Sequence, residues 1–420
     1  MSTDAVEQVV AAEATSPESI ATAAPTPVLQ LQDFCVDYGV GARAVRAVDR
    51  VNLRVDRSKV LGVAGESGSG KSTLVYGFTR LLRAPAVISG GSALFTAGPS
   101  REDGGEELID LVGADEATLR RLRWTQISVV LQSALNALNP VVRVGTLFDA
   151  VYRAHRSDMS RAERRARSVE LLSLVGLNED RLQRFPHELS GGQRQRIMIA
   201  LALALDPSLV IMDEPTTALD VVTQREILNK LAELRARFGF AMIFITHDLS
   251  LLVELADEIV VMYAGRLVER ARARDLYESP RHPYTLGLLN SFPPMHGARH
   301  ELTGIPGSPP DLSQLPSGCA FQPRCPYAMD RCAREQPPLA PLDAARREPA
   351  RPRRRRAAST PRIDPLHREG PGAAARERND PSRRDTAVGR RSRSATARGP
   401  GANPVSPSVR VARRASAGRS

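Results

Sequence analysis

The chain has 420 residues, 42% of them hydrophobic, enough for more than one buried core, and its longest unbroken apolar run, Ile197–Leu205, spans nine residues. A bilayer crossing needs ~20 apolar residues, so no membrane-spanning helix is expected. The formal net charge of +11 divides sharply by region: residues 341–420 hold 21 Arg against 7 Asp and Glu, leaving the rest slightly acidic, so a folded nucleic-acid-binding surface is not expected.

Residues 1–27 hold few aliphatic side chains and lack the basic-then-apolar start of a secretory leader. This predicts a disordered segment and a cytoplasmic protein. Short β-like runs follow, including Val28–Leu31 and Val51–Val55, and strand and helix patterns alternate to about Tyr263. The apolar run Val60–Ala64 leads into Gly65, Glu66, Ser67, Gly68, Ser69, Gly70, Lys71 and Ser72, then Thr73 and a helical stretch through Leu82. This is G-x-x-x-x-G-K-[ST] between a strand and a helix, the context the motif requires. Its glycines let consecutive N–H groups turn toward phosphates, and the helix start adds its positive dipole end. Lys71 would reach the β- and γ-phosphates and Ser72 would ligate Mg²⁺.

Three further apolar runs end on polar groups: Ile127–Leu131 at Gln132, Leu209–Met212 at Asp213 and Glu214, and Met242–Thr246 at His247. Ligands of open parallel sheets bind beyond the strands' carboxyl ends, so these groups should meet Lys71 and Ser72 in one crevice. Asp213 could then hold Mg²⁺, Glu214 polarise a water attacking the γ-phosphate, and His247 contact that phosphate. Taken singly, the carboxylates also suit a helix cap and the histidine a satisfied loop residue. Between these runs, Ala162–Leu174 reads as a helical insert. In the run Leu189–Arg196, Ser190 and Gln193 make a capping box, while Gly191 and Gly192 leave the first amides of a helix bare.

The phosphate loop, LSGGQRQR at Leu189–Arg196 and LVIMDEPTTALD at Leu209–Asp220 stand in the order seen in the nucleotide-binding domains of ABC transporters, which Val28 to Arg274 resembles. The resemblance implies an α/β fold: a P-loop NTPase core with a mostly parallel sheet, an N-terminal antiparallel β subdomain, a helical signature subdomain and a small C-terminal extension. It also implies an ATPase using ATP and Mg²⁺ in a head-to-tail dimer, where Ser190, Gly191, Gly192 and Gln193 close over the partner's γ-phosphate. Gln132 would sense Mg²⁺ and the attacking water and face membrane subunits. Asp220 would join the two sites, and Tyr38 would stack on adenine.

Residues 276–338 are rich in Pro and turn signals. The segments SPRHPYTLGLLNS, IPGSPPDL and CAFQPRCPYAMDRC resemble the C-terminal extension of oligopeptide and dipeptide importer ATPases, shared by nickel importers. That implies peptide import at the cytoplasmic face of the membrane. The partners would be a second ATPase subunit, two permeases and an extracytoplasmic binding protein. Alternatives are import of nickel or another small solute, or a non-transport ABC ATPase. Some members of the group hold an iron–sulfur cluster here; Cys319, Cys325 and Cys332 would be its ligands, but no fourth cysteine follows. Residues 339–420, rich in Arg, Pro, Ala, Gly and Ser, are expected to be disordered.

Overall fold

The computed structural model describes residues 26–98, 105–131, 138–217, 219–291 and 304–340. Gln132 and nearly all of the two terminal segments expected to be unstructured lie outside the described residues.

Strands β1 (Pro27–Tyr38), β2 (Val45–Asp56), β4 (Ala86–Ala97) and β5 (Glu107–Asp110) form an antiparallel sheet in the order β2-β1-β4-β5. A second sheet joins β3 (Val60–Ala64), β6 (Ile127–Val130), β7 (Leu209–Asp213), β8 (Ala241–Ile245), β9 (Glu258–Tyr263) and β10 (Arg266–Arg272). Its order is β10-β9-β3-β8-β7-β6, parallel throughout except for the β9–β10 hairpin. The parallel strands are continuous apolar runs because both faces are covered. Leu61, Val63, Ile211, Ile243 and Ile245 share one core with the antiparallel sheet. The alternate residues Val60, Val210, Met212, Met242 and Phe244 share the other core with most of the helices.

The helix after the phosphate loop, α1, spans Lys71–Phe78 and ends four residues before the expected Leu82. Arg80 takes a left-handed conformation (φ 58°), its N–H bonds Gly77 O, and the Leu81 N–H bonds Tyr76 O. These paired bonds satisfy the last carbonyls and turn the chain away. Leu74, Val75 and Phe78 of α1 pack into the core of the antiparallel sheet.

Helix α2 is Glu116–Leu122; α3 (Val144–His155), α4 (Arg161–Leu174) and α5 (Gly191–Ala202) make the helical insert. Phe148 and Tyr152 of α3 are fully buried and share a core with Leu171 and Leu172 of α4 and Ile197 of α5. Helices α6 (Val221–Phe238), α7 (Leu249–Leu255), α8 (Ala273–Glu278) and α9 (Pro283–Asn290) follow.

The C-terminal extension does not build a core of its own. Tyr284, Leu288, Cys319 and Phe321 join the core of the main sheet. The Glu269 carboxylate on β10 accepts the backbone N–H groups of Arg281 (2.8 Å) and His282 (2.9 Å), fixing the entry to α9. His282 caps that helix: its Nδ1 accepts the Tyr284 N–H at 3.1 Å, which requires an unprotonated nitrogen.

Two consequences can be measured. Phe148→Ala should cost ~3–5 kcal/mol in urea unfolding, whereas Leu108→Ala, at a site 65% exposed, should cost less than ~0.5 kcal/mol. Burial also lowers the His282 imidazole from 6.5 to about 4. Between those values the unfolded chain binds the extra proton and the folded chain does not, so stability falls as pH drops through the window, by up to ~1.4 kcal/mol per pH unit. His282→Asn keeps a capping acceptor without the titration. Unfolding at pH 7.5 and pH 5 should therefore show a smaller acid loss in the variant than in the wild type; equal losses would remove His282 from the explanation.

Candidate nucleotide site

The sheet order sets the site. Strands β3, β8 and β7 are neighbours in that sequence, and all three run in the same direction. The phosphate loop, His247 and the Asp213–Glu214 pair therefore emerge side by side from their carboxyl ends. The fourth strand, β6, extends the row and ends two residues before Gln132, whose position lies outside the described residues.

The loop is held in a shape that two glycines make possible. Gly65 has φ 148° and Gly70 has φ 102°, and a Cβ at either would collide with a backbone oxygen, of Met262 and of Ala47 respectively. Gly70 is also the residue from which α1 begins. Ser67 and Gly68 form the exposed tip, while Ser69 is buried. Lys71 is only 5% exposed and curls back on the loop, with Nζ donating to the carbonyls of Gly65 and Glu66 at 2.8 Å each. Burial lowers its pKa, opposed by the charges of Glu214, Asp213 and Glu66.

Asp213 is fully buried, and desolvation raises its pKa against the pull of Ser72, Tyr76 and Lys71. Its Oδ2 accepts from the Tyr76 hydroxyl at 3.1 Å, and the Ser72 hydroxyl also approaches the carboxylate. Oδ1 is buried without a hydrogen-bond partner. A buried carboxylate oxygen left unpaired, next to a serine hydroxyl at a phosphate-binding loop, is a hard-oxygen donor set. It fits Mg²⁺, which takes few protein ligands and fills the rest with water and phosphate.

Glu214 sits in a left-handed conformation (φ 47°), strained for a residue with a Cβ, and its N–H donates to Ile245 O at 2.9 Å. Its Oε2 accepts from Thr217 Oγ1 at 3.0 Å, and its Oε1 lies 3.4 Å from His247 Nδ1. The carboxylate is 10% exposed and the imidazole 50%, so the pair opens to solvent on the histidine side. Tyr38, at the end of β1, is brought to the same place: its hydroxyl is 3.2 Å from Thr73 Oγ1 at the start of α1, and its ring is partly exposed.

The Ser190 helix start faces elsewhere. Ser190 and Gln193 close the expected capping box, with reciprocal bonds of 3.3 and 3.2 Å. Gly192 packs so tightly on α6 that a Cβ would lie 2.6 Å from Thr223 Cγ2. Asp220 caps α6 through Thr223, whose N–H and hydroxyl it accepts at 2.9 and 2.8 Å. An open cleft of about 540 Å³ is lined by Ser190, Gly191, Gly192, Gln193, Arg196 and Asp220 among others, and no residue of the phosphate loop contributes to it. One chain thus presents two separate pieces of anion-binding chemistry.

The sequence reading overlooked three contributors. Tyr76 was hidden as an ordinary apolar position of α1, although its hydroxyl is a partner of Asp213. Tyr284 and Arg324 of the extension reach Glu66 from far along the chain, a distance that no local pattern could bridge. The three cysteines of the extension are free thiols; burial raises the pKa of Cys325, and Cys319 and Cys332 add to that rise. Among the described residues no group of three or more His, Cys, Asp or Glu is arranged to hold a metal ion.

Comparison with known proteins agrees with this geometry. The ABC transporter family pattern matches residues 48–217, and the pattern for the oligopeptide/dipeptide transporter C-terminal region matches residues 268–332. The oligopeptide transport ATP-binding protein OppD of Salmonella typhimurium is 44% identical over 324 residues, covering 76% of this chain and 92% of its own. OppD of Escherichia coli is 43% identical, covering 74% and 89%. The solved ATP-binding cassette MJ0796, a dimer in a post-hydrolysis state with ADP and Pi, matches with a TM-score of 0.50 and 28% identity over 59% of this chain and 99% of that one. With its P-loop α/β core, its signature helix and its extension, the chain belongs to the ABC transporter family, as an ATP-hydrolysing subunit of the oligopeptide/dipeptide transporter group.

Proposed function

We propose that this subunit energises import of di- or oligopeptides, binding ATP between its own phosphate loop and the Ser190 helix start of a second ATPase subunit. The observation that carries the reading is the separation of the two anion-binding surfaces on one chain: the Ser190 cleft shares no residue with the phosphate loop. A complete site then needs two subunits facing head to tail.

In this reading the adenine stacks on Tyr38, and the amides of residues 67, 68 and 70–73 take the phosphates. Lys71 leaves the carbonyls of Gly65 and Glu66 for the β- and γ-phosphates, exchanging a buried pairing with dipoles for one with charge. Ser72 and Asp213, whose Oδ1 has no hydrogen-bond partner, would hold Mg²⁺, which would neutralise phosphate charge. Glu214, fixed by Thr217 and its own backbone, accepts a proton from the attacking water, while His247 holds the γ-phosphate. Gln132, by the family resemblance, would sense Mg²⁺ and the attacking water. Ser190, Gly191, Gly192 and Gln193 close on the partner's γ-phosphate, and Asp220 links the two sites.

Among the described residues no helix is long and apolar enough to cross a membrane, so membrane contact in this reading comes through two permease subunits at the cytoplasmic face. An extracytoplasmic binding protein delivers the peptide. The OppD relatives, named as oligopeptide transport ATP-binding proteins, support peptide as the cargo.

Reconstitution with the permeases and binding protein in vesicles tests this directly: ATP inside should drive uptake of labelled peptide, and turnover without peptide movement would reject the assignment. Glu214→Gln should lower turnover by about 10²–10⁴-fold while ATP-bound dimers accumulate in size-exclusion chromatography. Normal hydrolysis by that variant would overturn the base assignment. Lys71→Ala should abolish binding of a fluorescent ATP analogue. The isolated subunit should hydrolyse slowly, with specific activity rising with protein concentration.

A further inference from the structure

Glu66, the second residue of the phosphate loop, is gripped at each of its polar groups. Its carbonyl accepts from Lys71 Nζ at 2.8 Å. Its N–H donates to the Tyr284 hydroxyl at 2.7 Å. Its carboxylate takes a two-pronged contact from Arg324, with Nη1 to Oε2 at 2.7 Å and Nη2 to Oε1 at 2.9 Å. Two of these three grips come from the C-terminal extension.

The Arg324 end is built to stay in place. The side chain is only 7% exposed, and its Nε donates to Pro306 O at 2.8 Å. The guanidinium lies 5.9 Å from the Tyr263 ring and 6.0 Å from the Phe321 ring. Those rings and that of Tyr284 pack together, with centroids 4.6–5.4 Å apart. Tyr263 ends β9, which pairs with β3 beside the loop, so the cluster ties extension and sheet together at the loop's entry. A bidentate pair of this kind fixes orientation as well as position, and the Glu66 charge holds Arg324 more firmly protonated.

The loop's other end is anchored where α1 begins, and at its entry Glu66 offers the side-chain carboxylate and N–H that the extension holds. A Gly- and Ser-rich loop loses much conformational freedom when its amides must converge on phosphate, and that cost lowers affinity unless it has been met before binding. Lys71 must release the Glu66 carbonyl to reach a phosphate. Arg324 and Tyr284 are then the contacts that keep the entry in register.

We infer that Arg324 and Tyr284 are positioning residues of the nucleotide site, through which the C-terminal extension sets affinity for ATP by holding the phosphate loop at Glu66. The inference rests on the reading of Gly65–Thr73 as the nucleotide site. Both act through the loop: the guanidinium is engaged by Glu66, Pro306 and Tyr263, and the Tyr284 hydroxyl accepts the Glu66 N–H.

The test is ATP binding to the full-length chain, with KM and kcat measured in the assembled transporter. Holding the loop ready favours ground state and transition state alike, so Arg324→Ala should raise Kd and KM about tenfold and change kcat less than about threefold. Arg324→Lys, a point charge without the fork, should recover only part of the loss. Glu66→Gln, which loses the charge and one prong, should raise Kd and KM in the same direction, and the double variant should be no worse than Arg324→Ala, because both act on the same contact. Tyr284→Phe, which removes only the acceptor, should raise KM about threefold. Unchanged nucleotide affinity in Glu66→Gln, or additive losses in the double variant, would overturn the inference even if Arg324→Ala failed to fold. A lower melting temperature with unchanged Kd would likewise reduce Arg324 to a structural role. If Lys71→Ala also bound ATP normally, the site reading itself would fail; if Lys71→Ala lost binding while the Arg324 and Glu66 variants kept it, only this inference would.

Discussion

A cation buried in a protein cannot stand without partners, and much of the site follows from how that demand is met at Lys71. The ammonium donates to the carbonyls of Gly65 and Glu66. Those carbonyls are within reach only because the two glycines take backbone angles closed to other residues and let the loop pass close beside Met262 and Ala47. The same curl leads into α1, which begins from Gly70. Close to this cation lies a second buried charge, Asp213, short of one partner. The two oppositely shifted groups keep the site poised: each is raised or lowered by desolvation and pulled back by the other.

The parallel sheet converts that local constraint into a catalytic row. Because β8 lies between β3 and β7, His247 emerges between the phosphate loop and Glu214, and the 3.4 Å approach of His247 to Glu214 follows from strand order rather than from sequence proximity. The helical insert performs the opposite service. Its buried Phe148 and Tyr152 brace a signature helix whose free amides open onto a cleft of their own. A fold that holds half a site at one place and its complement at another makes dimerisation part of the proposed chemistry.

Much of this was legible beforehand because the motifs are contiguous. The phosphate loop, the capping box at Ser190 and Gln193, and the apolar runs ending at Asp213 and His247 are local patterns, and each forms the element its spacing called for. The strands run longer than their apolar cores where pairing carries through polar residues, as in β1 and β2. Helix α1 runs shorter, because Arg80 accepts a left-handed turn that helix propensity alone does not forecast. The cysteines carried a spacing that suggested ligation, and in the folded chain Cys319 and Cys332 lie near enough to raise the pKa of Cys325, with the Cys319 N–H bonded to Cys332 O.

The sequence by itself therefore determined the family and the motifs of the nucleotide chemistry, since these depend on residue types within a few positions of one another. Only the tertiary structure decided what surrounds the phosphate loop: Tyr76 under Asp213, and Tyr284 and Arg324 on Glu66. The physical reason is that side-chain hydrogen bonds and ion pairs act over about 3 Å and carry no periodicity along the chain. Residues 258 positions apart, as Glu66 and Arg324 are, become partners only once the sheet and the extension share a core. The extension that marked the transporter group in the sequence thus lies, in the folded chain, against Glu66 of the phosphate loop.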